Sequence, residues 1–376
     1  MSRSADPERP VTAPDFLLSR ATGSLRTIGA KQGYDDPADA ALALRAGRAD
    51  LVVGAIGFEE DSPAALVEPE IITVTHGPLE PPAYFRRGAV PAQISEAVPE
   101  PEEHLDRIHT ALAGIRAGTL EKVVLARALR LEAIDPEWPF DPHVIAARFI
   151  DLSPSANGFY ADLSAAGGLH RGRILVGSSP ELLVRRQGRR IECHPLAGSA
   201  ARSSDPAVDE KTARALRDSA KDIAEHQFVV DAIVSALSPL CTALEVPFSP
   251  EVSSTREMWH LGSRITGQLS DPKVSALDLA MALHPTPAVG GTPVRLARDV
   301  IAGLEGRREF YAGAVGWANA TGDGEWMVTI RCAEIDAART TAMIWAGGGL
   351  VDGSDPREEL AETEAKFRTG LTAFGL

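Results

Sequence analysis

No run of 18 or more uncharged apolar residues occurs in this 376-residue chain, so no segment is apolar enough to cross a membrane as a helix. The opening residues carry Arg3, Glu8, Arg9 and Asp15 and lack the apolar core of a secretory leader, so a cytoplasmic protein is expected. Cysteine is scarce: Cys193, Cys241 and Cys332 stand far apart with no CxxC, which excludes a disulfide framework or zinc ribbon and suits a reducing compartment. Basic residues are in deficit, 38 against 52 acidic, and the net charge of −14 argues against nucleic acid or an anionic membrane surface as partner. There is no Walker A loop, no G-x-G-x-x-G after a strand and no G-x-S-x-G. No serine or cysteine stands at a recognisable spacing from a histidine, and no repeat of 20–50 residues occurs. A protein this acidic needs a metal ion or a local basic pocket to hold an anionic substrate.

What is present is a globular composition, 44% hydrophobic and 24% charged with a mean hydropathy of −0.06, enough for a sizeable core. Residues 1–20 read as a frayed terminus, and the stretch to about Pro91 as short strands with one Ala-rich helix over 36–48. Pro101–Ala117 has helical periodicity, with Pro101 in its first turn and Gly118 after its end. Lys122–Arg127 reads as a buried strand, residues 172–196 as strands turning at Gln187-Gly188, and 259–267 as one strand. Asp205-Pro206 opens what reads as a long helix to about Leu237, and Pro239 ends it. Phe310–Asn319 and Glu325–Ile335 read as a hairpin across Thr321-Gly322-Asp323-Gly324. Many strands joined by turns or long excursions predict an α+β fold: a single large domain, residues 1–376, with mostly antiparallel sheets as its core and helices packed outside. No exposed apolar stripe stands out, and a monomer is expected.

Two helices carry carboxylates at i, i+3. Near the C-terminus, Gly347-Gly348-Gly349 ends an apolar strand, where a bare backbone permits close approach of a ligand. A helix then starts, with Ser354 or Asp355 as its cap and Pro356 in its first turn, placing Glu359, Glu362 and Lys366 on one face. Asp222 and Glu225 repeat the pair on the other helix, with His226 beside them. Facing each other, the four carboxylates could supply oxygen ligands to Mg²⁺; each run alone also reads as a solvated acidic face. Lys122 and Glu181 are charges in or beside apolar strands. Burial would lower the lysine pKa and raise that of the glutamate, making a base and an acid; the alternative is that both point out at strand ends.

These residues in this order resemble the chorismate-utilising enzymes, which comprise anthranilate, aminodeoxychorismate, isochorismate and salicylate synthases. The matching stretches begin with Lys122–Arg127, Ser179-Pro180-Glu181-Leu182-Leu183, Pro195–Ser199, Asp222–His226, Trp259–Ser263 and His284–Val289. They continue with Tyr311-Ala312-Gly313, Ile330-Arg331, Gly347–Gly349 and Glu359-x-x-Glu362-Thr363-x-x-Lys366, so the motifs lie within residues 100–376. The presence of Lys122, the absence of lysine at Ala197 and the alanine at Ala288 place the resemblance nearest the isochorismate synthase branch, which serves siderophore or menaquinone biosynthesis. Salicylate synthase is the alternative within the family, and a non-catalytic chorismate-binding protein the alternative outside catalysis.

The resemblance implies a mechanism. Mg²⁺ on Glu225 and Glu362, with Asp222 and Glu359 close by, binds the ring carboxylate of chorismate. Lys122 takes a proton from the water attacking C2, and Glu181 protonates the departing C4 hydroxyl. Tyr311, Arg331 and Gly347 hold the pyruvyl carboxylate, Gly198, Ser199 and His260 line the ring pocket, and Lys366 faces the same anion. The chain departs from the family pattern at Gly348, usually alanine, and at Asp222, a glutamate in some branches.

Overall fold

In a computed structural model, which describes residues 13–376, the strands form three sheets of ten, nine and three strands among those residues. The ten-stranded sheet runs from the short Gly291–Thr292 strand through Lys122–Ala133, Thr341–Val351, Cys332–Ile335, Ile174–Gly177 and Gly158–Asp162 to Phe16–Arg20, Gly23–Ile28 and Ile71–His76. Ala92–Val98 pairs with the far half of Lys122–Ala133. The nine-stranded sheet centres on Leu182–Gln187, Gly324–Val328, Ala314–Asn319 and Leu51–Ile56. Neighbouring strands pair antiparallel throughout the centre of both sheets, and the α+β expectation holds.

The apolar patterning explains the layers. Val123 and Leu125 from one sheet and Val184 and Trp326 from the other join a single buried core. The outer face of the ten-stranded sheet packs Leu131, Val176 and Ile344 against Val144, Phe149, Phe367 and Phe374 of two helices, Pro142–Leu152 and Pro356–Phe374. Burial of this kind contributes about 25 cal/mol per Å² of apolar surface, so the two-sided cover is the main stabilising term. The N-terminal third is woven into both sheets: Phe16–Arg20 pairs with Gly158–Asp162, and Leu51–Ile56 with Ala314–Asn319.

Five local expectations are corrected. Of the terminus expected to fray, residues 1–12 lie outside the described residues, but Phe16–Arg20 is a buried strand whose two faces feed different cores, Leu18 one and Leu17 the other. The long helix is two helices, Pro206–Arg217 and Ala220–Leu237, because the Ser219 hydroxyl caps the second by accepting from the Asp222 amide. Residues 259–267 split at Ser263-Arg264 into Met258–Gly262 and Ile265–Leu269, which enter different sheets. The second hairpin strand likewise divides into Gly324–Val328 and Cys332–Ile335, with Arg331 between them at φ 53°. Finally, the three glycines do not end their strand; it continues through them to Val351.

Candidate active site

The last of those corrections builds the site. The neighbouring strand Cys332–Ile335 reaches only as far as Ala342–Ile344, so from Gly347 onward the glycine strand pairs on one side alone, with Lys122–Ala126. The C-terminal helix comes up against this open edge: its Lys366 Nζ donates to the Gly347 carbonyl at 2.7 Å. That helix is fixed by Pro356 in its first turn, by the Asp355 carboxylate accepting from the Arg357 and Glu358 amides, and by Gly375 in the left-handed conformation after its end. On both faces of the strand the space that a Cβ would fill is taken by a carboxylate. A methyl on Gly349 would lie 2.0 Å from Glu225 Oε1, and one on Gly348 3.2 Å from Glu359 Oε2.

A cavity of about 650 Å³ opens beside these glycines. Among the expected residues its wall includes Glu181, Gly198, Ser199, Glu225, His260, Ala288, Tyr311, Arg331, Gly347, Glu362 and Lys366. Lys122, Asp222 and Glu359 stand behind that wall. A larger cavity of about 1240 Å³ adjoins and shares Pro180, Leu196, His260 and Arg331, but it contains no lysine and none of Glu181, Glu225 or Glu362. The smaller one therefore holds the convergent chemistry.

Lys122, the first residue of its strand and wholly buried, has its Nζ 3.0 Å from Glu225 Oε1, though not aligned as a hydrogen bond. Glu362 accepts from Ser199 Oγ at 2.8 Å and pairs with Lys366 at 2.5 Å. Glu359 pairs with Lys221 at 2.9 Å. Ser199 lies across the strand pair from His260, and Gly198, at φ 79°, passes so close to the second carboxylate helix that a Cβ would be 3.0 Å from that of Asp222. Tyr311 stacks on Trp345 with ring centroids 5.4 Å apart, its hydroxyl near Gly347.

Electrostatics separate the acids. Burial pushes Glu181 up to about 8, only partly offset by the charge of Lys122, the Leu196 amide and Lys366. Burial, then the neighbouring Glu362 charge, raises Glu359 to about 7 despite Lys221. Burial raises Asp222 as well. Glu362 goes the other way: burial pushes it up, but contact with Lys366 and the Ser199 hydrogen bond outweigh it and hold it below the ordinary carboxylate value. Burial, reinforced by the charges of Arg331 and Lys366, lowers His260 well below the usual imidazole value, so it is neutral at pH 7. Burial likewise raises the Tyr311 phenol and lowers Arg331.

Among the described residues no three histidine, cysteine, aspartate or glutamate side chains converge as a ready-made metal cage. Three glutamates instead each face a lysine. The donor chemistry nonetheless fits a hard divalent cation: Glu225, Glu359 and Glu362 offer only carboxylate oxygens. The glycine cradle leaves them room, and the charge of Glu362 is, after burial, the second cause of the rise of Glu359, which places the two carboxylates within electrostatic reach of each other. Two participants escaped the sequence reading. Lys221 was signalled only by standing next to Asp222, whereas Trp345 lies two and four residues before Gly347 and Gly349 on the strand and was legible by period-two spacing.

Known proteins resemble this chain in both sequence and fold. A family profile described as chorismate binding enzyme matches residues 69–375. The isochorismate synthase DhbC of Bacillus subtilis is 46% identical over 332 residues, 87% of this chain and 81% of that protein. The isochorismate synthase EntC of Escherichia coli K12 is 36% identical over 369 residues, 97% and 88% of the two chains. The solved menaquinone-specific isochorismate synthase MenF of Escherichia coli superimposes with a TM-score of 0.82 at 25% identity, covering 96% of this chain and 89% of that one. By sequence and by fold, this chain is a member of the chorismate-binding enzyme family.

Proposed function

We propose that this chain is an isochorismate synthase: it isomerises chorismate to isochorismate reversibly, with water entering at C2 and the C4 hydroxyl leaving as the ring double bonds shift. The carrying observation is that one cavity has in its wall a buried carboxyl group, Glu181, pushed up to about 8 by burial, and directly behind that wall a wholly buried lysine, Lys122, whose charge Glu181 feels. As base, Lys122 takes a proton from the attacking water. Glu181 gives its proton to the C4 oxygen, so water departs and the atoms balance. Arg331, which lines the cavity, would grip the pyruvyl carboxylate together with Tyr311 and the Gly347 backbone. Gly198, Ser199, neutral His260 and Ala288 would shape the ring pocket, and Lys366 would add charge facing the same anion.

Glu225 and Glu362, with Asp222 and Glu359 behind them, would hold Mg²⁺. When bound, it supplies the positive charge that an acidic protein needs to accept the ring carboxylate. The same reading takes residues 1–376 as one domain and the enzyme as cytoplasmic and monomeric, serving siderophore or menaquinone synthesis. The test is product analysis with chorismate and Mg²⁺: isochorismate as the main product is expected, and salicylate with pyruvate as the main products would overturn the reading.

A further inference from the structure

The base strand has a gap in its edge, and two side chains fill it. Lys122–Ala133 is paired on its outer side by Gly291–Thr292 at Lys122 and Val123, and by Ala92–Val98 only from Ala128 onward. Between those partners the Val124 carbonyl and the Ala126 amide have no strand partner, and side chains take them instead. Arg308 Nη2 donates to the first at 2.8 Å, and Glu305 Oε1 accepts from the second at 2.7 Å. The two side chains also pair with each other, Arg308 Nε and Nη2 donating to Glu305 Oε2 and Oε1, each at 2.8 Å. They are 3% and 8% exposed, so the bidentate pair is buried as well as fully engaged.

The same guanidinium reaches two other parts of the cavity wall. Arg308 Nη1 donates to the Val289 carbonyl at 2.7 Å, and its guanidinium lies 5.9 Å from the Tyr311 ring centroid. Its backbone carbonyl accepts from the Tyr311 amide at 3.0 Å. Glu305 is available because its helix, Val294–Glu305, stops there, with Gly306 at φ 86°. The pair thus replaces a missing strand and sets the spacing of three wall elements: the start of the Lys122 strand, the loop carrying Ala288 and Val289, and Tyr311.

Resting on the isochorismate synthase reading, we propose that Glu305 and Arg308 are positioning residues for the isomerisation, holding Lys122 and the ring pocket at reacting distance without touching substrate. Misplacement of a reacting group by about 1 Å costs on the order of 100-fold in rate, so the effect belongs in turnover. The test compares Arg308→Lys, which keeps the charge but loses the fork, and Glu305→Gln with the unsubstituted chain. Isochorismate formation is followed at saturating Mg²⁺, with the stoichiometry of chorismate binding measured by calorimetry. The expected result is a fall in kcat of at least about tenfold, a change in KM under about threefold, and binding still near one chorismate per chain. A smaller fall in kcat, or one matched by an equal loss of binding-competent chains, would overturn the proposal and leave the pair merely structural. Should Arg308→Lys not fold, Glu305→Gln decides alone. A parent chain that binds chorismate without turning it over would instead defeat the functional reading, and this proposal with it.

Discussion

Glu181 and Glu362 face one cavity and share their chemistry, yet they sit in opposite electrostatic regions. Glu181 is buried and its lysines act from a distance, so burial wins and the acid is held up at about 8. At the glycine edge Lys366 and Ser199 touch Glu362 directly, and contact wins over burial. The difference teaches that the distance to a cation, rather than depth alone, decides which carboxyl is a proton donor and which is an anion fit to hold a metal.

The largest expected effect breaks the proton-transfer side. Lys122→Ala or Glu181→Gln should lower kcat by about 10²–10⁴-fold while Mg²⁺-dependent chorismate binding persists in calorimetry. Normal turnover in either variant would remove that residue from the mechanism. On the anionic side, Glu362→Gln should weaken Mg²⁺ and chorismate together, each by at least about tenfold, since one carboxylate serves both. An unchanged Mg²⁺ dependence would count against the ligand assignment.

A pH series sharpens the comparison further. Turnover needs Glu181 protonated, so kcat should fall above pH of about 8, approaching tenfold per unit. The sign for stability follows from the same shift. The folded chain keeps this proton to about 8 whereas an ordinary glutamate loses it near 4.5, so this group favours folding at low pH. Its contribution is lost as pH rises from about 4.5 to about 8. Glu181→Gln should flatten that slope in thermal melts across the window. The smallest effect compares adjacent glycines. Gly349→Ala drives a methyl into Glu225 at 2.0 Å, so Mg²⁺ affinity should drop by several-fold. Gly348→Ala meets Glu359 at no less than 3.2 Å, a contact that a shift of a few tenths of an ångström relieves, and both affinity and melting temperature should be nearly unchanged. Equal effects of the two would refute the cradle.

Much of this was legible along the chain. The i, i+3 carboxylates on the two helices, the charges at Lys122 and Glu181 inside apolar strands, and the α+β class follow from periodicities of 3.6 and 2.0 and from the cost of burying a charge. The strand break at Arg331 and the burial of Phe16–Arg20 were not legible, because each depends on which distant strand receives the segment rather than on the segment's own propensity. The helix break at Ser219 rests on a local serine cap and was legible in principle.

By itself, then, the sequence determined the functional groups, their spacing within each element, and the family to which their order belongs, because those are properties of local stretches. Only the tertiary structure decided that the glycine strand runs on past its neighbour. That leaves one open edge where the Glu362 helix, the Glu225 helix and the Lys122 strand meet. Glu362 takes its ion contact from Lys366 four positions on, but its hydrogen bond from Ser199 and the Lys122 contact of Glu225 each join residues more than a hundred positions apart, and burial is set by the same meeting.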